Sequence, residues 1–464
     1  MRKAYMLLAV GTISACAVGP DYRPPETAVE PFNQTQPAST RQTPFEAAWW
    51  RQFGDPLLDD LIERALVGDL DLRIAAARVE EARALRGGAR RERWPKAAAE
   101  AARDERHAQQ PGFSSNRTEV ETYDAGIATF WELDLFGRVR RGVEAASADA
   151  EAAEADLRDA QVLVAAEVAR TYVELRRAQK RLGVARTNLG FQRETLELTR
   201  VRLDLGRGNE LDVASAAARL AATEASIPPL VADERIATHR LAVLLGLHPG
   251  SLDDELVLRD LPPHLTALSV DSPEALLRRR PDIRAAERTL AAATARAGVA
   301  RADLFPRLTL SGFVGFIAGD AGELGESASR AWSATPVLSW AGFDGARARL
   351  AAAEARTDGA LAAYERTVLR ALEETENAFV THAQSRERLA AVVAEATASR
   401  RAAELARVQY REGALDFLRL LDAERTVLQA EDAVAGAEAD LNSSVVLIYQ
   451  ALGGGWEAAP LPAS

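Results

Sequence analysis

The chain has 464 residues and a formal net charge of −11, with no basic stripe carrying interleaved aromatics, which argues against a nucleic-acid partner. Aromatic residues make up only 6%, and Ala, Leu, Arg and Glu dominate, a profile of long helices and coiled coils rather than of three ordinary globular domains. Lysine occurs only at Lys3, Lys96 and Lys180, so arginine carries nearly all the positive charge.

At the N-terminus Arg2 and Lys3 form a positive region, followed by a short apolar stretch from Ala4 to Thr12. Ile13-Ser14-Ala15 then places small residues before Cys16, the chain's only cysteine. The arrangement resembles a bacterial lipoprotein signal over 1–15, which implies that the Cys16 thiol is lipidated and that Cys16 becomes the new N-terminus. With Cys16 consumed, the mature chain has no thiol for a disulfide, a Cys-based metal site or a redox role. Lipoproteins kept at the inner membrane commonly carry aspartate after the cysteine; Ala17 stands here, which favours sorting outward.

The segment over 16–55 is Pro-rich and reads as extended. Helical periodicity begins at Asp55-Pro56, with proline suited to a first helical turn, and stops at Trp94-Pro95. Prolines then map the chain: none occurs from Gly112 to Ile227 and none from Val337 to Ala459. Proline breaks helices by clash and by loss of a donor, so these two tracts are where long helices can live; with Pro228-Pro229 between them, the long helices are read over 137–246 and 345–452. A helix from Gly137 to Leu205 would span roughly 100 Å at 1.5 Å per residue, against roughly 10–14 residues for an ordinary globular helix. No run of 18 apolar residues occurs, so no transmembrane helix is expected.

Leu175, Leu182, Leu189, Leu196 and Leu203 recur every seven residues, a coiled-coil seam. Val184, Phe191, Leu198 and Leu205 form a second seam about 200° away, so a neighbour should grip the helix on each side. Between the seams, one face carries Arg186, Arg193, Glu197, Arg200 and Asp204 and the other Ala185, Asn188, Gln192, Thr195 and Thr199. Both faces are expected to be wet, as in a stave of a water-filled tube; a two-seamed helix in a spectrin-type bundle is the alternative. In the second tract the seam thins to Leu389, Ala396, Ala403 and Tyr410.

Segments of period two precede the long tracts. Leu308, Leu310, Val314 and Phe316 share one face of a strand over 307–317, and Trp332, Ala334, Leu338 and Trp340 mark a returning strand over 330–340. Tyr123, Ala125, Ile127, Thr129 and Trp131 alternate likewise over 122–133. Its partner over 97–106 is an Ala-rich run that favours helix and is read as a strand only from the duplication. Strands of about ten residues with terminal aromatics suit an outer-membrane barrel, but such barrels need at least about eight strands, so four cannot close. Three copies would supply twelve.

The duplication is visible directly. Leu245-Gly246 recurs as Leu452-Gly453, and the same offset lays Gly206–Val213 on Gly413–Leu420. A slightly larger offset brings Trp94-Pro95 onto Phe305-Pro306. The first repeat is read as 56–250, the second as 273–457, with a linker over 251–272 and a tail over 458–464. The expected fold is mainly α with a β part, internally duplicated, with long coiled-coil helices as staves and four strands per chain, of which three copies would supply the twelve strands of a closed β-barrel.

Catalytic patterns are missing. His107, His239, His248, His264 and His382 make no His-x-x-x-His pair, and Gly453-Gly454-Gly455 follows a helix without the lysine of a phosphate loop. The three glycines read as a helix stop. Glu373, Glu374 and Glu376 read as a solvated face. No enzyme activity, cofactor or metal site is expected.

Several stretches carry a family resemblance: Cys16-Ala17-Val18-Gly19-Pro20-Asp21-Tyr22, Trp49-Trp50 to Asp55-Pro56, Trp131 to Arg138, Arg279-Arg280-Pro281-Asp282-Ile283, Tyr410 to Glu424, and Ala451 to Trp456. Over its whole length the chain resembles the outer-membrane factor (TolC-like) family, in the lipoprotein branch that serves tripartite pumps driven by resistance-nodulation-division transporters. The resemblance implies a homotrimer in outer-membrane lipid, an α-barrel through the periplasm, a mixed equatorial belt, and two partners, a periplasmic adaptor protein and an inner-membrane transporter that sets selectivity. It also implies a periplasmic gate at Gly206–Val213 and Gly413–Ala423. Asp212 matches an acidic residue that hydrogen-bonds a tyrosine of the neighbouring chain, Tyr410 matches that tyrosine, and Asp422 matches a lumen-facing aspartate ring. Arg419 departs from the pattern, standing where a second aspartate ring is found, so a mixed Arg/Asp constriction replaces a doubly acidic one.

The reading is thus a passive exit duct for drugs or other small molecules. The same duct serving type I protein secretion or metal-ion export remains an alternative, as does a structural periplasmic coiled-coil lipoprotein, against which the alternating strands count.

Overall fold

A computed structural model describes residues 17–25, 40–41, 47–109, 117–262, 268–269, 278–340 and 342–458. The signal segment over 1–15, Cys16, residues 459–464 of the tail, much of the segment over 16–55 and part of the linker over 251–272 lie outside the described residues. The chain divides into two compact units, one of Met1–Glu26, Arg78–Glu154 and Arg284–Arg366, the other of Thr27–Ala77, Ala155–Ile283 and Thr367–Ser464. Each unit draws on both repeats, so the repeats are not two separate domains.

Two-residue strands β1 (Thr40–Arg41) and β4 (Leu268–Ser269) pair in parallel. The main sheet contains β2 (Lys96–Gln109), β3 (Arg117–Leu133), β5 (Arg307–Ala318) and β6 (Arg330–Ser339), in the order β2-β3-β5-β6, antiparallel throughout. The helices are α1 (Pro56–Gly68), α2 (Leu70–Arg91), α3 (Arg138–Asp204), α4 (Glu210–Leu244), α5 (Pro281–Ala302), α6 (Asp344–Arg411) and α7 (Phe417–Ala451).

The sheet belongs to the first unit. Its register sets Ala101, Ala125, Phe316 and Arg330 side by side, then Ala99, Ile127, Val314 and Trp332, so one face is apolar and continuous down to Trp131, Leu310 and Leu308. The other face is mixed, carrying Glu100, Asp124, Glu132, Thr309, Ser311, Ser333 and Thr335 together with Phe130, Phe313, Ile317 and Val337. The Ala-rich β2 is a strand because a long register with β3 supplies every ladder bond, which outweighs alanine's helical preference. Gly126 and Gly315 face each other across the ladder, and a Cβ on Gly315 would lie 2.4 Å from the Ala125 carbonyl and 2.8 Å from the Phe313 ring. Trp332 and Leu338 stand in the open, and the outer edges of β2 and β6 are unpaired among the described residues.

The second unit has the main core. Trp49, Trp50 and Phe53 pack with Leu58, Leu61 and Ile62 of α1, Val168, Tyr172 and Leu175 of α3, Leu241 of α4, and Val445 and Tyr449 of α7. Trp49 stacks on Tyr449 at 5.2 Å. The Arg280-Pro281-Asp282 stretch closes the end of α7: buried Arg280 donates to the Ala451 carbonyl at 2.8 Å and to Asp282 and Glu374. Glu374 is therefore an ion-pair partner and not merely part of a solvated face.

Two expectations need correction. The first is the rule that confines long helices to proline-free tracts: α4 runs through Pro228-Pro229. Ile227, Leu230 and Val231 pack on Leu182 and Ala185, and this contact on both sides of the prolines holds the course that the missing donors would otherwise release. The second concerns α3, 67 residues long, whose Ala185–Asn188–Gln192–Thr195–Thr199 face is buried rather than wet. Its polar groups meet partners on α7: Asn188 donates to Glu431, and Thr195 to Glu424 at 3.2 Å. The first leucine seam is buried through Leu196, whereas the second is largely open, with Phe191 and Leu205 exposed. The thinned seam of α6 is buried at Leu389, Ala396, Ala403 and Tyr410, alanine allowing close helix approach.

Candidate functional site

Both long hairpins turn in the same way. Gly206 and Gly413 take left-handed φ of 68° and 75°, and the backbone bonds Arg207 N to Arg202 O and Ala414 N to Gln409 O close each helix end. Asn209 then caps α4 by accepting from Asp212 N at 2.8 Å, and Asp416 caps α7 by accepting from Arg419 N at 3.0 Å. The duplication thus appears as one turn built twice.

Tyr410 is only 3% exposed and packs in a small core with Leu196, Ala216, Phe417 and Leu420. Arg202 at the end of α3 lies over the Tyr410 ring at 4.5 Å and donates to the Tyr410 carbonyl at 2.6 Å. The two hairpins of one chain are joined here. Burial raises the Tyr410 pKa, Arg202 opposes the rise, and the Asp212 carboxylate adds to it. Asp212 and Tyr410 are therefore electrostatic neighbours within a single chain, although no direct hydrogen bond joins them. Arg419 and Asp422 are both exposed on the first turns of α7, three residues apart and so on one face, and neither side chain has an ion pair among the described residues.

Further from the turns, Glu424 is 3% exposed, accepting from Thr195 and from Arg407 Nε at 3.0 Å, while its Oε2 has no partner. Arg407 also covers the Phe191 ring at 4.3 Å. Arg219 beside it has its pKa lowered by burial and by the like charge of Arg425. Sequence reasoning missed Arg202, Arg407 and Glu424. Glu424 closes the Tyr410-to-Glu424 stretch, but nothing in sequence spacing pairs it with Thr195, over two hundred residues away.

In the first unit, the residues after Cys16 are laced onto the turn after β3, the start of α3 and α5. Ala17 lies against Gly137, where a Cβ would come within 2.8 Å of the Ala17 Cα, and Val18 N donates to the Phe136 carbonyl. Gly19 (φ 104°) crosses Gly298 so closely that a Cβ would approach to 2.7 Å. Asp21 accepts from Arg141 at 2.6 Å, which lowers the Asp21 pKa, and Tyr22 donates to Glu287 at 2.8 Å. Cys16 itself lies outside the described residues, one peptide bond before Ala17.

A family model described as outer membrane efflux protein matches residues 61–247 and 272–454. These stretches correspond to the two repeats. Outer membrane protein OprJ of Pseudomonas aeruginosa is 32% identical over 457 residues, covering 97% of this chain and 95% of OprJ. The solved structure of the outer-membrane channel OprN is similar with a TM-score of 0.92 at 52% identity, over 95% of this chain and 100% of that one. The open state of the Neisseria gonorrhoeae MtrE outer membrane channel has a TM-score of 0.83 at 29% identity, over 95% of this chain and 99% of that one.

Proposed function

The chain belongs to the outer membrane efflux protein family, and from that premise we propose how it builds and closes its duct. It is the outer-membrane channel of an efflux pump, with the TolC-like fold, reaching from the outer membrane into the periplasm. Three copies join β2 of one chain to β6 of the next and close a twelve-stranded barrel. The observation that carries this reading is the sheet: an apolar face, a mixed face and two open edges, in a chain whose two longest helices have 67 and 68 residues. Open edges are untenable in lipid, where no water satisfies the backbone. The exposed Phe191 seam of α3 is available to a neighbouring chain in the same assembly.

The duct is passive. A periplasmic adaptor protein and an inner-membrane transporter supply the opening and the energy, and the chain performs no catalytic step. Lipidation of Cys16 adds an anchor, a reading supported by the close docking of Ala17 to Gly137, four residues beyond the end of β3.

The gate lies at the hairpin turns. Asp212 of one chain and Tyr410 of its neighbour hold the resting tip shut, a reading supported by the position of both residues at the hairpin turns. Three copies of Asp422 form an acidic ring that attracts cations, and Arg419, three residues earlier, blunts it. The test is single-channel conductance in planar bilayers for wild type and Tyr410→Phe/Asp212→Ala. The folded double variant should open more often. Equal conductance and open probability would remove these residues from the gate.

A further inference from the structure

A cavity of about 650 Å³ in the first unit is lined by Arg90, Arg93, Trp94, Arg140, Val143, Glu144 and Ser147. Both of its walls are attached to the helix-side end of the β2–β3 hairpin. Arg90 ends α2 and Arg93-Trp94 leads into β2, whereas Arg140 to Ser147 form the first turns of α3 after β3. The Trp131 indole, on the apolar sheet face, donates to the Arg93 carbonyl at 3.1 Å, so Arg93 marks the rim of the lipid-facing band.

The acidic groups around the cavity are already matched. Glu144 accepts from Arg141 at 2.7 Å, Asp134 accepts from Arg140, and Glu92 pairs with Lys96. The Arg90 and Arg93 side chains have no ion pair or hydrogen bond among the described residues, and Trp94 is 71% exposed beside them. Two unmatched guanidinium groups and an open indole are thus concentrated at a membrane rim, in a chain whose net charge is −11.

The second repeat supplies an internal comparison. Trp340 donates to the Leu304 carbonyl at 3.2 Å just as Trp131 does to Arg93, so Leu304 and Phe305 are the counterparts of Arg93 and Trp94. There Leu304 replaces the Arg93 guanidinium while Arg301 stands where Arg90 does, and Phe305 is stacked on Phe136 at 4.6 Å. One rim position carries an aromatic stack with a single arginine nearby; its duplicate carries two arginines beside a more open indole.

We propose that this cavity binds a phosphate group, and that the phosphate is the headgroup of an outer-membrane phospholipid, with Arg90 and Arg93 as ligands and Trp94 lying along the glycerol region. Guanidinium groups match phosphate oxygens bidentately, and an indole suits the boundary where one side is apolar and the other wet. The inference rests on the sheet being membrane-embedded.

The experiment uses full-length protein purified in neutral detergent, delipidated, and titrated with phosphatidylglycerol while bound lipid is counted by native mass spectrometry. Wild type should hold phosphatidylglycerol about tenfold or more tightly than Arg90→Gln/Arg93→Gln, with Arg93→Lys in between, because lysine keeps the charge but loses the fork. Equal lipid binding by wild type and the double variant would overturn the proposal, as would inorganic phosphate displacing the lipid at equal concentration, which would make free phosphate the ligand. Oligomer mass and β content are read on the same samples, so failure of the membrane reading shows separately from failure of the lipid site.

Discussion

Replacing Arg202 by methionine removes a polar tie between the two hairpin turns of a chain while sparing their apolar core. The variant keeps a long apolar stem in place of the guanidinium, so the Leu196, Ala216, Phe417 and Leu420 packing survives. Two interactions disappear: the donation to the Tyr410 carbonyl at 2.6 Å and the cation–π contact at 4.5 Å. A charged hydrogen bond contributes about 1.5–3 kcal/mol and a partly exposed cation–π contact about 1 kcal/mol, so the latch holds each tip by about 3 kcal/mol. If opening separates the turns, the loss favours the open tip by about two powers of ten per chain. Arg202→Lys, which keeps charge but not the planar fork, should fall between. Single-channel recording in planar bilayers should show frequent openings in Arg202→Met and rare ones in wild type. A folded Arg202→Met protein with wild-type conductance and open probability would refute the latch.

Asp159 gives a pH signature. Burial, aided by the Asp282 charge and opposed by Arg280, raises its pKa from 3.8 to about 6. A carboxyl raised on folding costs nothing below its unfolded pKa, where both states are protonated, and its penalty grows until pH passes the folded value. Asp159→Asn should therefore stabilise the protein by about 2–3 kcal/mol above about pH 6 and leave it unchanged near about pH 3, read as the difference in melting temperature across pH; a benefit independent of pH would contradict the assignment. Gly315→Ala forces a methyl against the Ala125 carbonyl and the Phe313 ring, so heat-resistant oligomer should be lost, and Phe313→Ala should not restore it because the backbone clash persists. Wild type should incorporate labelled palmitate and Cys16→Ser should not; an unlabelled wild type would end the lipoprotein reading.

The legible parts of the fold were those written in a local period. β5 declared itself by alternation from Leu308 to Phe316, and the long helices by proline-free tracts. β2 did not, because alanine carries no period, and only its duplicate pointed to it. Pro228-Pro229 misled because the tertiary contacts of Ile227 and Leu230 outweigh a local rule. The Asn188-to-Thr199 face misled for a related reason: polar residues look wet until Glu424 and Glu431 arrive from a distant helix to meet them. At the turns, Tyr410 and Asp212 were reached through a family resemblance, whereas the Arg202 latch needed coordinates. Its partners are separated by two hundred residues, and no spacing encodes them.

The central claim is that one chain is a third of a membrane duct, and the most direct measurement is the protein mass of the detergent-extracted species by light scattering, with β content followed by circular dichroism on the same fractions. Four strands with two open edges predict three chains, each the 50.0 kDa chain less residues 1–15, in one heat-resistant particle, unfolding and dissociating together. A stable monomer that retains its full β content would contradict the account.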